Sequence, residues 1–259
     1  MADSLAISAI TARTPQVFDL HCPSETTLTP ELRDKLYHLH CDFALQAENR
    51  PEKKFFISDM DATMVVGETI DEMAEVLGIG EKISAITARA MRGELDFEEA
   101  LAERLALMKG IPKTTVVEMA KAVTVTPGAK QLLDDINRRQ MDSCLISGGF
   151  SEFTEQVSQR LGFKRHKANQ LAYDKNDTLS GTWTGELVNA DVKVATLKQR
   201  AAAHQLDLSQ TVAIGDGAND SLMIAAAGLG IAYYGKPILR EVANAEIHSG
   251  DMANVVHFL

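Results

Sequence analysis

Two aspartates separated by one residue, Asp59-Met60-Asp61, stand at the end of the short run Lys54-Phe55-Phe56-Ile57-Ser58. That run reads as a buried strand. With a strand period of two, both carboxylates leave on the same side. They leave at a strand end, where open α/β sheets gather their chemistry. Like charges this close repel, and a proton, a metal or both must hold them. One carboxylate can then act as nucleophile or metal ligand while its neighbour moves protons. Acid-rich loops are common and mostly just solvated. The pattern Asp59-Met60-Asp61-Ala62-Thr63 therefore takes its weight from what lies downstream.

From Pro127 onward helical and strand patterns alternate. Helices are expected over 128–139, 152–161 and 192–204, and strands over 143–146, 211–214 and 229–232. This alternation predicts a Rossmann-like parallel sheet with helices on both faces. Between the first strand and this region lie four helical patterns, near 69–78, 81–92, 96–109 and 113–123, with no strand signal. They predict a small helical bundle inserted as a cap after the first core strand. The expected division is a catalytic core of residues 53–66 and 125–259, a cap of 67–124, and an N-terminal extension of 1–52. In the extension, residues 5–10 suggest a strand and 30–47 a helix, with Thr29 as N-cap and Pro30 at its first position.

Two further loops follow expected strands. Ser147-Gly148-Gly149 offers a hydroxyl and two residues without side chains, which lets backbone N–H groups approach an anion. Taken alone it reads equally well as a glycine-rich turn. Gly215-Asp216-Gly217-Ala218-Asn219-Asp220 places two acids four apart at a helix start. Helix capping accounts for Asp220 but not for Asp216, which sits between glycines on the strand side. Asp59 and Asp216 together would make a hard, all-oxygen site suited to Mg2+.

A formal net charge of -10 argues against a nucleic-acid backbone or an anionic membrane as the main partner. A phosphorylated small molecule remains compatible, because a local cation reverses the sign inside a cleft. Cys22, Cys41 and Cys144 are widely spaced with no C-x-x-C, which predicts reduced thiols in a cytoplasmic protein. No basic segment precedes a long apolar stretch, so no signal peptide is expected. The apolar run 222–234 is too short to span a bilayer.

The three loops, in this order, resemble those of the haloacid dehalogenase superfamily of phosphotransferases. Gly67-Glu68-Thr69-Ile70-Asp71-Glu72, Met91-Arg92-Gly93, Phe97 with Glu103-Arg104-Leu105, Ser147-Gly148-Gly149-Phe150 and Lys236-Pro237 narrow the resemblance to its phosphoserine phosphatase branch. The resemblance runs from about residue 54 to the C-terminus. It implies Asp59 as a nucleophile that becomes an aspartyl phosphate and Asp61 as general acid and base. It implies Mg2+ held by Asp59, Asp216 and the backbone carbonyl of Asp61, with Asp220 in support. Ser147 and Lys193 would hold phosphate oxygens, aided by Gly148, Gly149 and Asn219. Glu68 would meet the ammonium and Arg104 the carboxylate of O-phospho-L-serine, with Met91 and Phe97 as an apolar lid. Without the resemblance, Glu68 and Arg104 read as surface charges and Met91 and Phe97 as core. Two competing functions remain: transfer of the phosphoryl group to another acceptor such as homoserine, and phosphoserine binding without catalysis.

Overall fold

The computed structural model describes residues 6–259. The chain opens with an antiparallel hairpin, β1 (Ala9–Thr14) and β2 (Val17–His21), that forms a sheet of its own. Then come α1 (Pro30–His38), β3 (Phe43–Ala44) and β4 (Phe55–Ser58). Four helices follow: α2 (Thr69–Val76), α3 (Gly80–Met91), α4 (Phe97–Leu107) and α5 (Lys113–Ala122). Next are α6 (Ala129–Arg138), β5 (Asp142–Phe150), α7 (Ser151–Leu161), β6 (Arg165–Tyr173), β7 (Leu179–Thr184) and α8 (Ala190–Ala203). The chain closes with β8 (Thr211–Gly215), α9 (Ser221–Ala226), β9 (Leu229–Tyr233), α10 (Pro237–Val242) and β10 (Ala245–Ile247).

Eight strands form the main sheet in the order β3-β10-β9-β8-β4-β5-β6-β7. Its interior pairs are parallel, and β3 and β7 add antiparallel edges. All four residues of β4 are buried, and alternate side chains enter two apolar layers. Phe56 packs with Leu145, Val212 and Ile214 on one face; Phe55 and Ile57 pack with Cys144, Ile146 and Ala213 on the other. A strand covered on both faces must be continuously apolar, which is why its sequence lacks alternation. The chain runs from β4 to β5 on one side and later returns to β8 on the other. The ends of β4, β5 and β8 therefore meet at the point where strand order reverses, a natural binding crevice.

After β4 the Met60 carbonyl accepts from the N–H groups of Thr63, Met64 and Val65, and Ala62 adopts a positive φ of 49°. Val65 then bridges Val125, with Val66 N donating to Thr124 O at 2.9 Å and Thr126 N to Met64 O at 3.0 Å. The four-helix segment thus leaves and re-enters at one paired neck. It is also docked elsewhere: α4 packs on β7, α5 on α7, and Gly110 N donates to Leu179 O at 2.8 Å.

The expected helix over 30–47 is shorter in the structure. It ends at His38, because Cys41 N turns back to Leu36 O at 3.0 Å and His40 takes a left-handed φ of 54°. Residues 43–44 instead extend the sheet beside β10. The expected strand over 5–10 lies partly outside the described residues, and the strand found runs from Ala9. The three cysteines are free, and burial pushes the Cys144 thiol up to about 11, so it is a core residue. Among the described residues no helix is long and apolar enough to cross a membrane.

Candidate active site

Asp59 continues β4 by one ladder bond, its N–H donating to Ile214 O at 3.0 Å. Its side chain is only 5% exposed and its Oδ1 accepts from Met60 N at 2.8 Å and from Lys193 Nζ at 2.8 Å. Lys193 enters from α8, whose N-terminus is capped by the Asn189 side chain bonding Val192 N. Its side chain is 1% exposed, and Nζ also reaches Asp220 Oδ1 at 2.8 Å. Burial alone would lower this ammonium, but Asp59 and Asp220 outweigh it and keep the group charged.

Asp220 is fully buried, and both its oxygens are engaged. Oδ1 takes Lys193, and Oδ2 accepts from the N–H groups of Asp216 and Gly217 at 3.2 Å each. A Cβ at Gly215 would lie 2.3 Å from Asp220 Oδ2, so only glycine lets the loop fold back on this carboxylate. Asp216 faces the cleft with Lys236 Nζ 3.4 Å from Oδ2, and Lys236 N donates to Asp216 O at 2.8 Å.

Asp61 is held differently. Oδ1 accepts from Thr69 N, the first residue of α2, at 2.8 Å, and Oδ2 accepts from Ser147 Oγ at 2.9 Å. Burial and the nearby Asp59 charge raise its pKa, while the Thr69 and Ser147 bonds pull it back. Ser147 Oγ in turn accepts from Gly149 N at 2.8 Å, and Asn169 Nδ2 donates to Gly148 O at 2.7 Å. The second loop is thus fixed from below by a buried asparagine.

Oxygens of Asp59, Asp216 and Asp220 lie within 4.8 Å of one another. With Asp61, four carboxylates face two ammonium groups, Lys193 and Lys236. Burial raises Asp216 and Asp220, and the Asp59 charge adds to both. Hard oxygen donors, negative charge in excess and a buried location fit a divalent cation such as Mg2+. Asp59 is engaged through Oδ1 and Asp216 through Oδ2, which leaves each a second oxygen to offer, whereas both Asp220 oxygens are taken by Lys193 and the loop.

The four-helix segment contributes Glu68, the N-cap of α2, whose side chain makes no capping bond. Partial burial and the charges of Asp61 and Asp216 push it up to about 7. Arg104 on α4 is half-buried and donates from Nε to Ala100 O at 3.0 Å. Burial lowers its pKa, and the charges of Asp71 and Glu68 oppose that. Phe97 reaches across to the second loop, its Cζ 3.7 Å from where a Gly148 Cβ would stand. Met91 is 85% exposed at the end of α3, and Asn219 is exposed on the third loop. The structure therefore gathers Asp59, Asp61, Ser147, Lys193, Asp216 and Asp220 tightly. It leaves Met91 and Asn219 facing solvent.

Sequence reasoning missed Thr69 and Asn169. Nothing in the string distinguishes the N–H of Thr69 as an anchor for Asp61. Asn169 carried no signal, since no strand was expected where it lies. Lys236 stood out only as part of Lys236-Pro237, without a role.

The sequence model of the haloacid dehalogenase-like hydrolase family matches residues 56–225. A phosphoserine phosphatase of Streptococcus thermophilus is 43% identical over 207 residues, covering 80% of this chain and 96% of that protein. One of Methanocaldococcus jannaschii is 36% identical over 208 residues, covering 80% and 98%. A haloacid dehalogenase-family hydrolase of Salmonella enterica serovar Typhi superposes with a TM-score of 0.84 at 32% identity, over 93% of this chain and 84% of that one. A substrate-bound phosphoserine phosphatase superposes with a TM-score of 0.73 at 35% identity, over 81% and 99%. The chain belongs to the haloacid dehalogenase-like hydrolase family. It is an enzyme, a phosphatase, and several of its relatives within the family are phosphoserine phosphatases.

Proposed function

We propose that this enzyme hydrolyses O-phospho-L-serine to L-serine and phosphate in the cytoplasm, using Mg2+ and an aspartyl phosphate at Asp59, as the last step of serine biosynthesis. The observation that carries this reading is the order of charges across the cleft. Lys193 joins the core acids Asp59 and Asp220, Glu68 lies close enough to feel Asp61, Asp216 and Lys236, and Arg104 close enough to feel Asp71 and Glu68. A phosphate, an ammonium and a carboxylate fit that sequence of partners.

The chain's own groups divide the work. Asp59 Oδ1 is fixed by Met60 N and Lys193, which leaves Oδ2 to attack phosphorus. As the new P–O bond forms, the bond to the serine oxygen breaks, and Asp61, whose raised pKa suits it to hold a proton, protonates that oxygen. Asp61 then takes a proton from water, whose oxygen displaces Asp59 and releases phosphate. Lys193 beside Asp59 and Ser147 beside Asp61 would bind phosphate oxygens, with backbone N–H groups of Gly148 and Gly149 assisting. Asp59 and Asp216, with the Asp61 carbonyl, would hold Mg2+, which supplies neutralisation of phosphate charge. Glu68 and Arg104 would read the amino-acid head, Arg104 by paired hydrogen bonds to carboxylate. Residues 67–124 act as the cap that excludes water, with Phe97 already bridging to the second loop.

Phosphate release from O-phospho-L-serine, with Mg2+ and with EDTA, beside a panel of phosphomonoesters and alcohol acceptors, tests this. Strong Mg2+-dependent preference for phosphoserine is expected. Preference for another ester, or phosphoryl transfer to an acceptor in place of water, would replace the substrate or reaction while keeping the Asp59 chemistry.

A further inference from the structure

The match to the family begins at residue 56, yet α1 lies well before it and grips an element of the active site. The Arg33 side chain is 11% exposed and pairs with Glu246, which is itself 2% exposed. Its second nitrogen donates to Ala243 O, the residue that ends α10, at 2.5 Å. Arg240 of α10 pairs with the same Glu246 at 2.7 Å, and its guanidinium lies 5.0 Å from the ring centre of Tyr37, also on α1. The C-terminal half of α10 is therefore held by two residues of α1. At its N-terminal end, Lys236 N bonds the carbonyl of Asp216 at 2.8 Å, and Lys236 Nζ lies 3.4 Å from the Asp216 carboxylate. The helix also packs against the turn at 218–220. A helix of this length is a rigid spacer of about 9 Å.

We infer that Arg33 is a positioning residue for the metal loop: by clamping the far end of α10 it fixes the main chain of Asp216. This rests on the proposed role of Asp216 as a metal ligand. Loss of Arg33 leaves the Ala243 carbonyl unpaired and Glu246 with one partner, and α10 becomes free to tilt. The residue acts through α10 and touches neither metal nor substrate.

The test uses the full chain and Mg2+ alone as ligand, with binding measured by calorimetry well below the Tm of each variant. Arg33→Met is expected to weaken Mg2+ binding by roughly tenfold, in the range seen when groups behind metal ligands are removed. At saturating Mg2+ the KM for phosphoserine should stay within about twofold. Arg33→Lys keeps a charge for Glu246 and loses the fork, so it should fall between, and it decides the matter if Arg33→Met does not fold. Arg13→Met serves as control: Arg13 ties the hairpin to His257 O and Asp19, away from α10, and its loss should leave Mg2+ affinity unchanged. A lower Tm with Mg2+ affinity within about twofold of wild type in both Arg33 variants overturns the inference. Absence of Mg2+ binding by the wild-type protein overturns the metal site as well.

Discussion

The floor of the cleft and its roof are built on opposite principles. Asp59, Lys193 and Asp220 are almost wholly buried, and each is tied by two or more hydrogen bonds or ion pairs. In the four-helix segment Glu68 forgoes its capping bond, Arg104 donates to the Ala100 carbonyl of its own helix, and Met91 stands in solvent. Phosphoryl transfer depends on charges fixed before the substrate arrives, since reorganisation during reaction would cost rate. Recognition of an amino-acid head, as proposed, would tolerate and gain from side chains that become ordered on closure. Substitutions at the floor should therefore strike chemistry and stability, and those at the roof should strike selectivity.

The largest effect is expected from Asp59→Asn. Turnover of phosphoserine should fall on the order of 10⁴-fold or more with the fold retained, as checked by circular dichroism. A variant that still turned over at a tenth of the wild-type rate would remove Asp59 as nucleophile. Lys193→Met should act on stability too. It leaves Asp59 and Asp220 buried without their shared cation, at a cost of about 3–5 kcal/mol. In a thermal scan of the metal-free protein this is a Tm fall of roughly 10 °C. An unchanged Tm would mean the floor is not held by that ammonium.

Arg104→Ala sharpens the contrast from the roof. Loss of a charged hydrogen-bonding partner should lower kcat/KM for phosphoserine by roughly 10²-fold. The rate with p-nitrophenyl phosphate, which has no carboxylate, should change less than about threefold. Equal losses on both substrates would show that Arg104 serves the chemistry or the fold instead.

The smallest effect concerns pH. Asp61, Asp216, Asp220 and Glu68 all have raised pKa values, Glu68 to about 7. Raised acids bind protons more tightly folded than unfolded. Their contribution to stability in the metal-free protein is thus largest at low pH and is lost as pH rises toward about 7. A divalent cation replaces those protons. The rise in Tm on adding Mg2+ should therefore be larger near pH 7.5 than near pH 5. A gain independent of pH would argue against a cation among these carboxylates.

Much of the core was legible because its signals are local. The uninterrupted apolar run before Asp59 marks a strand covered on both faces, and the glycines around Asp216 mark a backbone that must fold closely. The four helices after β4 lie within two residues of their expected ends. The N-terminal region was less legible. The end of α1 is set by a left-handed histidine, where a glycine or asparagine would have announced it. Residues 43–44 form a strand only because β10 offers an edge to pair with.

The sequence alone determined which residue types meet at the strand ends, because strand period and loop order fix that without distant contacts. The class of chemistry was legible only from the three loops taken together and in order, since either acid pair alone reads equally well as a solvated loop or a helix cap. Tertiary structure decided how the charges are shared. That Asp220 holds Lys193 and the loop, that α2 offers its first N–H to Asp61, and that Arg33 reaches α10 all depend on pairings between segments far apart in the chain. Such pairings are set by the packing of helices on a twisted sheet, and no local pattern encodes them.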